Sequence, residues 1–335
     1  MDTINQQVQQ NRRRTWSVMA VFVVLIAIIG FLIGLVFALA TNDEGSVDWI
    51  VPTYTMVGFL IGAGLYSLFV YSQVTNILMK SANAHQLQES DDPELFNIVS
   101  DLAMVAHIPM PSIYQTDDPS PNAFATGRDP KHAAVAVTKG LREMMNREEL
   151  EGVLAHEISH IKNYDIRVSS ITVALTTFIA GAGTVLIVAG IGLIRGGRWF
   201  SWFGTDSDDD SKAGWAVAIG ILTFGLIMWL GGWVIRIIGV PVAQILQFSV
   251  SRQRESLADV SGVNLTRDPQ GLIDALTLLK DDSTPTNNPT AKGAALYINE
   301  PITRKGKTPF LVKMFDTHPP LDERIARLKR LLGEQ

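Results

Sequence analysis

There is no cysteine anywhere in the 335 residues. That excludes disulfides, thiolate metal ligands and a cysteine nucleophile outright. Histidine is scarce as well, with six residues at positions 85, 107, 132, 156, 160 and 318. Nor is there an excess of positive charge: the formal net charge is −5, which gives no support to a nucleic-acid partner. What the chain has in quantity is apolar residues, 47% of the total, with a mean hydropathy of +0.19. They are clustered rather than spread, which points to membrane content.

Crossing a bilayer takes about 20 apolar residues. Four segments qualify: Val18–Ala40, Tyr54–Tyr71, Val168–Ile194, and a run that starts near Trp215. The third is rich in Gly, Ala and Thr, small residues that let membrane helices approach closely. The fourth continues to about Val250, but Arg236 and Pro241 interrupt it, so the crossing is expected to end at Ile235. Arg236 is read as a side chain snorkelling to the headgroups. The first segment follows Arg12, Arg13 and Arg14 and ends in Ala38-Leu39-Ala40, like a cleavage site. Its apolar core exceeds the about 7–15 residues of a signal peptide, so an uncleaved anchor is expected.

Flanking charge sets the orientation. Three arginines precede the first span, whereas Thr41–Val51 carries Asp43, Glu44 and Asp48 and no Lys or Arg. The N-terminus is therefore expected inside. With four crossings, the C-terminus and the segments after spans two and four lie inside too.

The first inner segment reads as an α+β unit. Asp92-Pro93 opens a helix with Leu95, Ile98, Val99 and Leu102 on one face. Strand-like runs follow at Ser112–Gln115 and Ala133–Thr138, joined through Asn122–Gly127. Asn146 and Glu149 then have the spacing of a capping box, starting a helix whose apolar side is Leu150, Val153, Leu154, Ile158 and Ile161.

On that helix stands His156-Glu157-Ile158-Ser159-His160. Residues four apart share a helix face, so both imidazoles reach one ion, and the intervening glutamate reaches a water on it. Neutral imidazole suits zinc, and a carboxylate takes the proton of an attacking water. Zn2+, one per chain, is the expected cofactor, with Glu157 as general base. A catalytic site also needs a third protein ligand and an open position. With thiolates absent a carboxylate is the natural candidate, and Glu255 fits best. Asp259, four residues on, shares its face and is placed to accept a hydrogen bond from a liganding imidazole.

These residues resemble the HtpX-like membrane metalloproteases, which are related to type I CaaX prenyl proteases. The resemblance covers nearly the whole chain. It is carried by Asn122–Gly127, by Glu149–Ala155 leading into His156, by Asp165 five residues after His160, by Glu255 with Asp259, and by His318-Pro319-Pro320-Leu321-Asp322-Glu323-Arg324. It implies that Glu255 is the third ligand, that Asp165 and Asp259 stand behind the ligands, and that Asn122 contacts the substrate backbone. It also implies that His318 and Arg324 stabilise the tetrahedral intermediate. The stretch from Asp281 to Pro309 departs from the family pattern.

The expected fold is a mostly α-helical integral membrane protein. Four transmembrane helices carry a cytosolic α+β zincin-like catalytic domain built from segments before, between and after them. The expected division is 1–72, 73–167, 168–235 and 236–335. The expected activity is endopeptidase cleavage of membrane proteins at the cytoplasmic face of the cell membrane, in quality control of damaged proteins. An extended substrate is expected to add to the strand Ala133, Ala134, Val135, Ala136, Val137. Alternatives are a CaaX-type prenyl protease, for which four spans leave little material to enclose a chamber, and a non-enzymatic membrane adaptor with a relic metal site. Cleavage inside the bilayer is disfavoured by Glu148, Glu149 and Glu151 before the motif and Lys162, Asn163 and Asp165 after it. Oligomeric state and regulation are not encoded in any feature of the chain.

Overall fold

The apolar runs form helices that a soluble core would not cover. A computed structural model describes residues 4–41, 48–203, 211–282, 284 and 320–333. Its elements in chain order begin with α1 (Ile4–Thr41), α2 (Ile50–Ser81), β1 (His85–Gln86), α3 (Pro93–Ala106), β2 (Ser112–Thr116) and β3 (Ala123–Gly127). They continue with β4 (Ala133–Thr138), α4 (Lys139–Met144), α5 (Arg147–Lys162), α6 (Asp165–Phe203), α7 (Ser211–Val234), α8 (Val240–Thr266), α9 (Pro269–Asp281) and α10 (Leu321–Leu331). His318, nearly all of 281–309 and most of the two loops expected outside fall beyond the described residues.

Among the described residues there are four candidate spans of 24 to 33 residues, and only 11–28% of each apolar window is buried inside the protein. Helices that apolar and that uncovered need lipid as their solvent. The chain is a multi-pass membrane protein. The fourth span differs from its expected limit at Ile235, since it runs Val217–Leu246. It passes through a π-helical turn at Ile235–Gly239 before α8. Pro241 has no N–H to give and its ring crowds the preceding turn, and the wider π turn takes up both defects without ending the helix.

Described residues group into two compact units, one within Val18–Leu68 and Ala174–Leu246, the other within Met1–Ser17, Phe69–Val173 and Gln247–Gln335. The first is held by apolar contacts, among them Phe37 edge-on to Phe224 at 5.6 Å and Phe59 edge-on to Phe178 at 6.0 Å. Its cavity of about 730 Å³, lined by residues such as Leu25, Leu32, Phe37, Phe224 and Met228, presents no ionisable side chain. No titratable chemistry is available there.

The second unit is a mixed sheet with a helical layer. Strand order is β1-β2-β4-β3, with β2 and β4 parallel and both outer pairs antiparallel. β4 alternates Ala and Val, which separates its two faces. Val135 and Val137 join the core that includes Ile113, Leu150, Leu154 and Ile158, while Ala134 and Ala136 meet Phe124, Met79 and Ala82. Both helix starts read from sequence are formed. Asp92 caps α3 by accepting from Leu95 N–H, with Pro93 in the first turn, and Asn146 and Glu149 complete a reciprocal capping box on α5. Arg142 ties α4 to the α3 cap, donating to Asp92 at 2.6 Å and to Glu94 at 2.6 Å.

Two sequence expectations need correcting here. Asn122–Gly127, read as a connection, contains strand β3, because it is paired along β4 from Ala123↔Val137 to Gly127↔Ala133. For that reason Ala133–Val137 cannot accept a substrate strand, since β4 is hydrogen-bonded to β2 on one side and β3 on the other.

Helix α9 sits directly on α5. A Cβ on Gly152 would stand 2.7 Å from Leu272 N and 2.9 Å from Leu272 Cα, both backbone atoms that cannot swing aside. Gly152→Ala is therefore expected to cost about 1–3 kcal/mol by overpacking. It should lower the thermal unfolding midpoint of the detergent-solubilised protein; an unchanged midpoint would show that α9 does not approach α5 this closely.

Candidate metal centre

Helix α5 presents His156 and His160 on one face, and α8 presents Glu255, Asp259 and Gly262 at spacings of four and three, also one face. The two helices touch at backbone level. A Cβ on Gly262 would lie 3.0 Å from His156 N and 3.2 Å from its Cα, so a larger residue there would push the two backbones apart by a few tenths of an ångström. The result is convergence of residues a hundred positions apart.

His156 Nε2 and His160 Nε2 are 3.2 Å apart, and the Glu255 oxygens lie 3.3 Å from the first and 3.4 Å from the second. Tetrahedral ligands at about 2.0–2.1 Å from one ion are about 3.3–3.4 Å from each other. The two imidazole nitrogens have the spacing of two corners of such a site, and the Glu255 carboxylate turns Oε2 to His156 and Oε1 to His160 at the same range. His156, Glu255 and Asp259 are 2% exposed or less, and the His160 side chain is 14% exposed.

The outer nitrogens fix the tautomers. Asp259 Oδ1 lies 3.0 Å from His156 Nδ1, and Asp165 Oδ2 lies 3.0 Å from His160 Nδ1. A carboxylate only accepts, so each Nδ1 carries a hydrogen, and in the neutral imidazole Nε2 is then the atom free to bind a metal. Arg324 grips Asp259 through Nε at 3.1 Å and Nη2 at 2.7 Å. Its Nη2 is also 3.3 Å from His156 Nδ1, but that is a contact of two donors, with Asp259 Oδ1 accepting from both.

Charge counting agrees. Around the site Glu157, Asp165, Glu255 and Asp259 are buried, as are Arg254 and Arg324. Four carboxylates against two guanidiniums favour further positive charge at the site, on the imidazoles or on a metal ion. The same field acts on protons. Burial, the largest influence on either histidine, opposes the imidazolium, and the Arg324 charge opposes it further at His156. The carboxylates overcome both: Asp259 and Glu255 raise His156 above its ordinary value, and Asp165 and Glu255 raise His160 well above it. Burial would raise Asp259, yet Arg324 and His156 hold it far below the usual carboxylate range.

Residues 89–332 match Peptidase family M48. Proteins described as "Protease HtpX homolog" match along nearly their full length. That of Lactobacillus helveticus is 41% identical over 330 residues, covering 97% of this chain and 99% of the relative. That of Streptococcus gordonii is 41% identical over 326 residues, with the same coverage. The chain belongs to peptidase family M48. Together with its four apolar helices, this makes it a membrane metalloprotease. A solved structure, S. mikatae Ste24p, matches with a TM-score of 0.45 and 19% identity, covering 90% of this chain and 61% of that one. At that score the likeness carries no argument.

The peptidase brings together most of the residues singled out from sequence. His156, His160, Glu255, Asp165 and Asp259 converge, and Glu157 is buried next to His156 on α5. Asn122 is buried before β3, its backbone N–H donating to Thr138 Oγ1 at 2.7 Å. Arg324 is fully buried behind His156, with Nε and Nη2 bonded to Asp259 and Nη1 4.0 Å from Glu255 Oε2. Sequence reading missed Arg254, buried beside Asp165, and Gly262. The signal for Gly262 was its spacing of seven from Glu255, which puts it on the ligand face.

Elemental analysis of the purified peptidase should find about one divalent metal ion per chain, as three protein ligands with an open position require. His156→Ala, His160→Ala and Glu255→Gln should each lose most of it. Full metal content in Glu255→Gln would remove that residue from the ligand set.

Proposed function

We propose that the chain is a zinc endopeptidase of the cytoplasmic face, with His156, His160 and Glu255 as metal ligands and Glu157 as general base. The observation that carries this reading is the convergence of His156 Nε2, His160 Nε2 and the Glu255 carboxylate, with contacts of 3.2–3.4 Å, in a buried pocket rich in carboxylates. Nitrogen and oxygen donors in threefold array favour zinc over magnesium or calcium, which prefer oxygen ligands in larger number. When bound, zinc supplies a Lewis acid that lowers the pKa of its water to about 7 and polarises the scissile carbonyl.

The chain's own residues do the rest. Asp259 and Asp165 accept from the two Nδ1–H groups and keep both Nε2 lone pairs turned inward. Glu157 takes the proton of the attacking water and returns one to the departing amine. An extended substrate pairs with the outer side of β3, where no strand is paired among the described residues, rather than with β4. In this reading Asn122, at the start of that strand, contacts the substrate backbone, and His318 serves as the oxyanion donor. Backbone pairing reads little sequence, which favours a general role in clearing damaged membrane proteins over processing of a single prenylated substrate.

Glu157→Gln should keep its metal and lose nearly all peptide hydrolysis, because the amide has the carboxylate's size but cannot accept the proton. Substantial turnover with a full complement of metal would remove Glu157 from that role.

The compartment follows from charge asymmetry, with Arg12–Arg14 before the first span and only acidic residues in the loop after it. The chain has no native cysteine, so single cysteines introduced at Ser46, Ser120, Ser207 and Ser283 report cleanly. An impermeant thiol reagent on intact cells should label Ser46→Cys and Ser207→Cys but not Ser120→Cys or Ser283→Cys. Labelling of either of the latter pair would move catalysis to the outer face.

A further inference from the structure

Arg254 precedes Glu255 on α8, is buried at 5% exposure, and takes no part in the chemistry above. Its Nη1 donates to the Asp165 carbonyl oxygen at 2.9 Å and lies 3.3 Å from Asp165 Oδ1. Asp165 Oδ2, the other carboxylate oxygen, is the one that faces His160 Nδ1. Arg254 Nη2 has no hydrogen-bond partner among the described residues. A buried guanidinium with a donor left over is costly, and an apolar side chain of similar size would fill the space at less expense. Its retention points to what Nη1 holds.

Asp165 needs holding. Asp259 lies on the same helix as Glu255, so one turn of α8 fixes their relation. Asp165 is different: between it and the end of α5 the chain turns at Tyr164, which has φ of +60°, in the left-handed region. No continuous helix therefore sets the distance from Asp165 to His160. A side chain that binds both the backbone and the carboxylate of Asp165 supplies that restraint.

We propose that Arg254 is a positioning residue for His160, acting through Asp165. It pins the residue that follows the left-handed turn, and so keeps the carboxylate against Nδ1 and the Nε2 lone pair directed at His156 and Glu255. The inference rests on the reading of His156, His160 and Glu255 as the metal ligands.

The test is zinc affinity of the full chain in detergent, measured by competition with a chromophoric chelator. Arg254→Gln is expected to weaken zinc binding by about 10–100-fold, the range for partners that orient metal ligands. Arg254→Lys should lose about 3–10-fold, because the ammonium sits on a shorter side chain and does not reach the position from which Nη1 meets both the carbonyl and the carboxylate. Asp165→Asn should resemble Arg254→Gln. Adding either Arg254 substitution to Asp165→Asn should cost less than about twofold more, since residues acting as one unit are not additive. Wild-type affinity in Arg254→Lys, or losses that multiply with Asp165→Asn, would overturn the proposal; the Lys variant decides if Arg254→Gln does not fold. His160→Ala run alongside separates the two levels: if it binds zinc like wild type, the ligand assignment fails, whatever Arg254 does.

Discussion

Everything in the catalytic unit depends on keeping six ionisable side chains charged in a dry pocket. Each buried ion costs several kcal/mol that only close partners can offset. Arg324 offsets Asp259 with two hydrogen bonds, and Arg254 sits against Asp165. Arg324 Nη1 also approaches Glu255 Oε2 at 4.0 Å. A divalent ion held by His156, His160 and Glu255 would add positive charge among these carboxylates and become part of what holds α5 and α8 together.

The same requirement explains why the helices are arranged around α5. Its apolar side, with Leu150, Leu154 and Ile158 fully buried, packs into the core shared with Ile113 and Val135 of the sheet. That fixes the helix rotation and turns His156 and His160 toward α8. Close approach at Gly262 then brings Glu255 within range, and α10 adds Arg324 from behind while burying Leu328. Packing of ordinary apolar residues thus sets distances among polar ones to a few tenths of an ångström.

Local features were legible in the sequence because their causes are local. Asp92-Pro93 and Asn146 with Glu149 cap the helices they announce, and the four-residue spacing of the histidines gives a shared face on any helix. What depended on distant partners was not legible. Asn122–Gly127 has a single large apolar residue, Phe124, among small and polar ones, and its pairing with β4 makes it a strand. The sheet order that closes β4 on both sides leaves no mark on the strand's own residues. Arg254 stands in a run, Ser251–Asp259, that carries charges on every side and reads as a solvated helix; its burial comes from what packs on α8.

Arg324 joins two of the site's carboxylates. Its Nε and Nη2 are committed to Asp259, a buried carboxylate it cannot abandon without a cost of several kcal/mol, while Nη1 lies 4.0 Å from Glu255 Oε2. The two histidines are then held by analogous pairs, Arg324 with Asp259 and Arg254 with Asp165, but not equally. The first pair is fully buried and doubly bonded, whereas the second grips one carboxylate oxygen and one carbonyl at the head of α6. His156 is correspondingly sealed, and His160, 14% exposed, is the ligand that borders solvent.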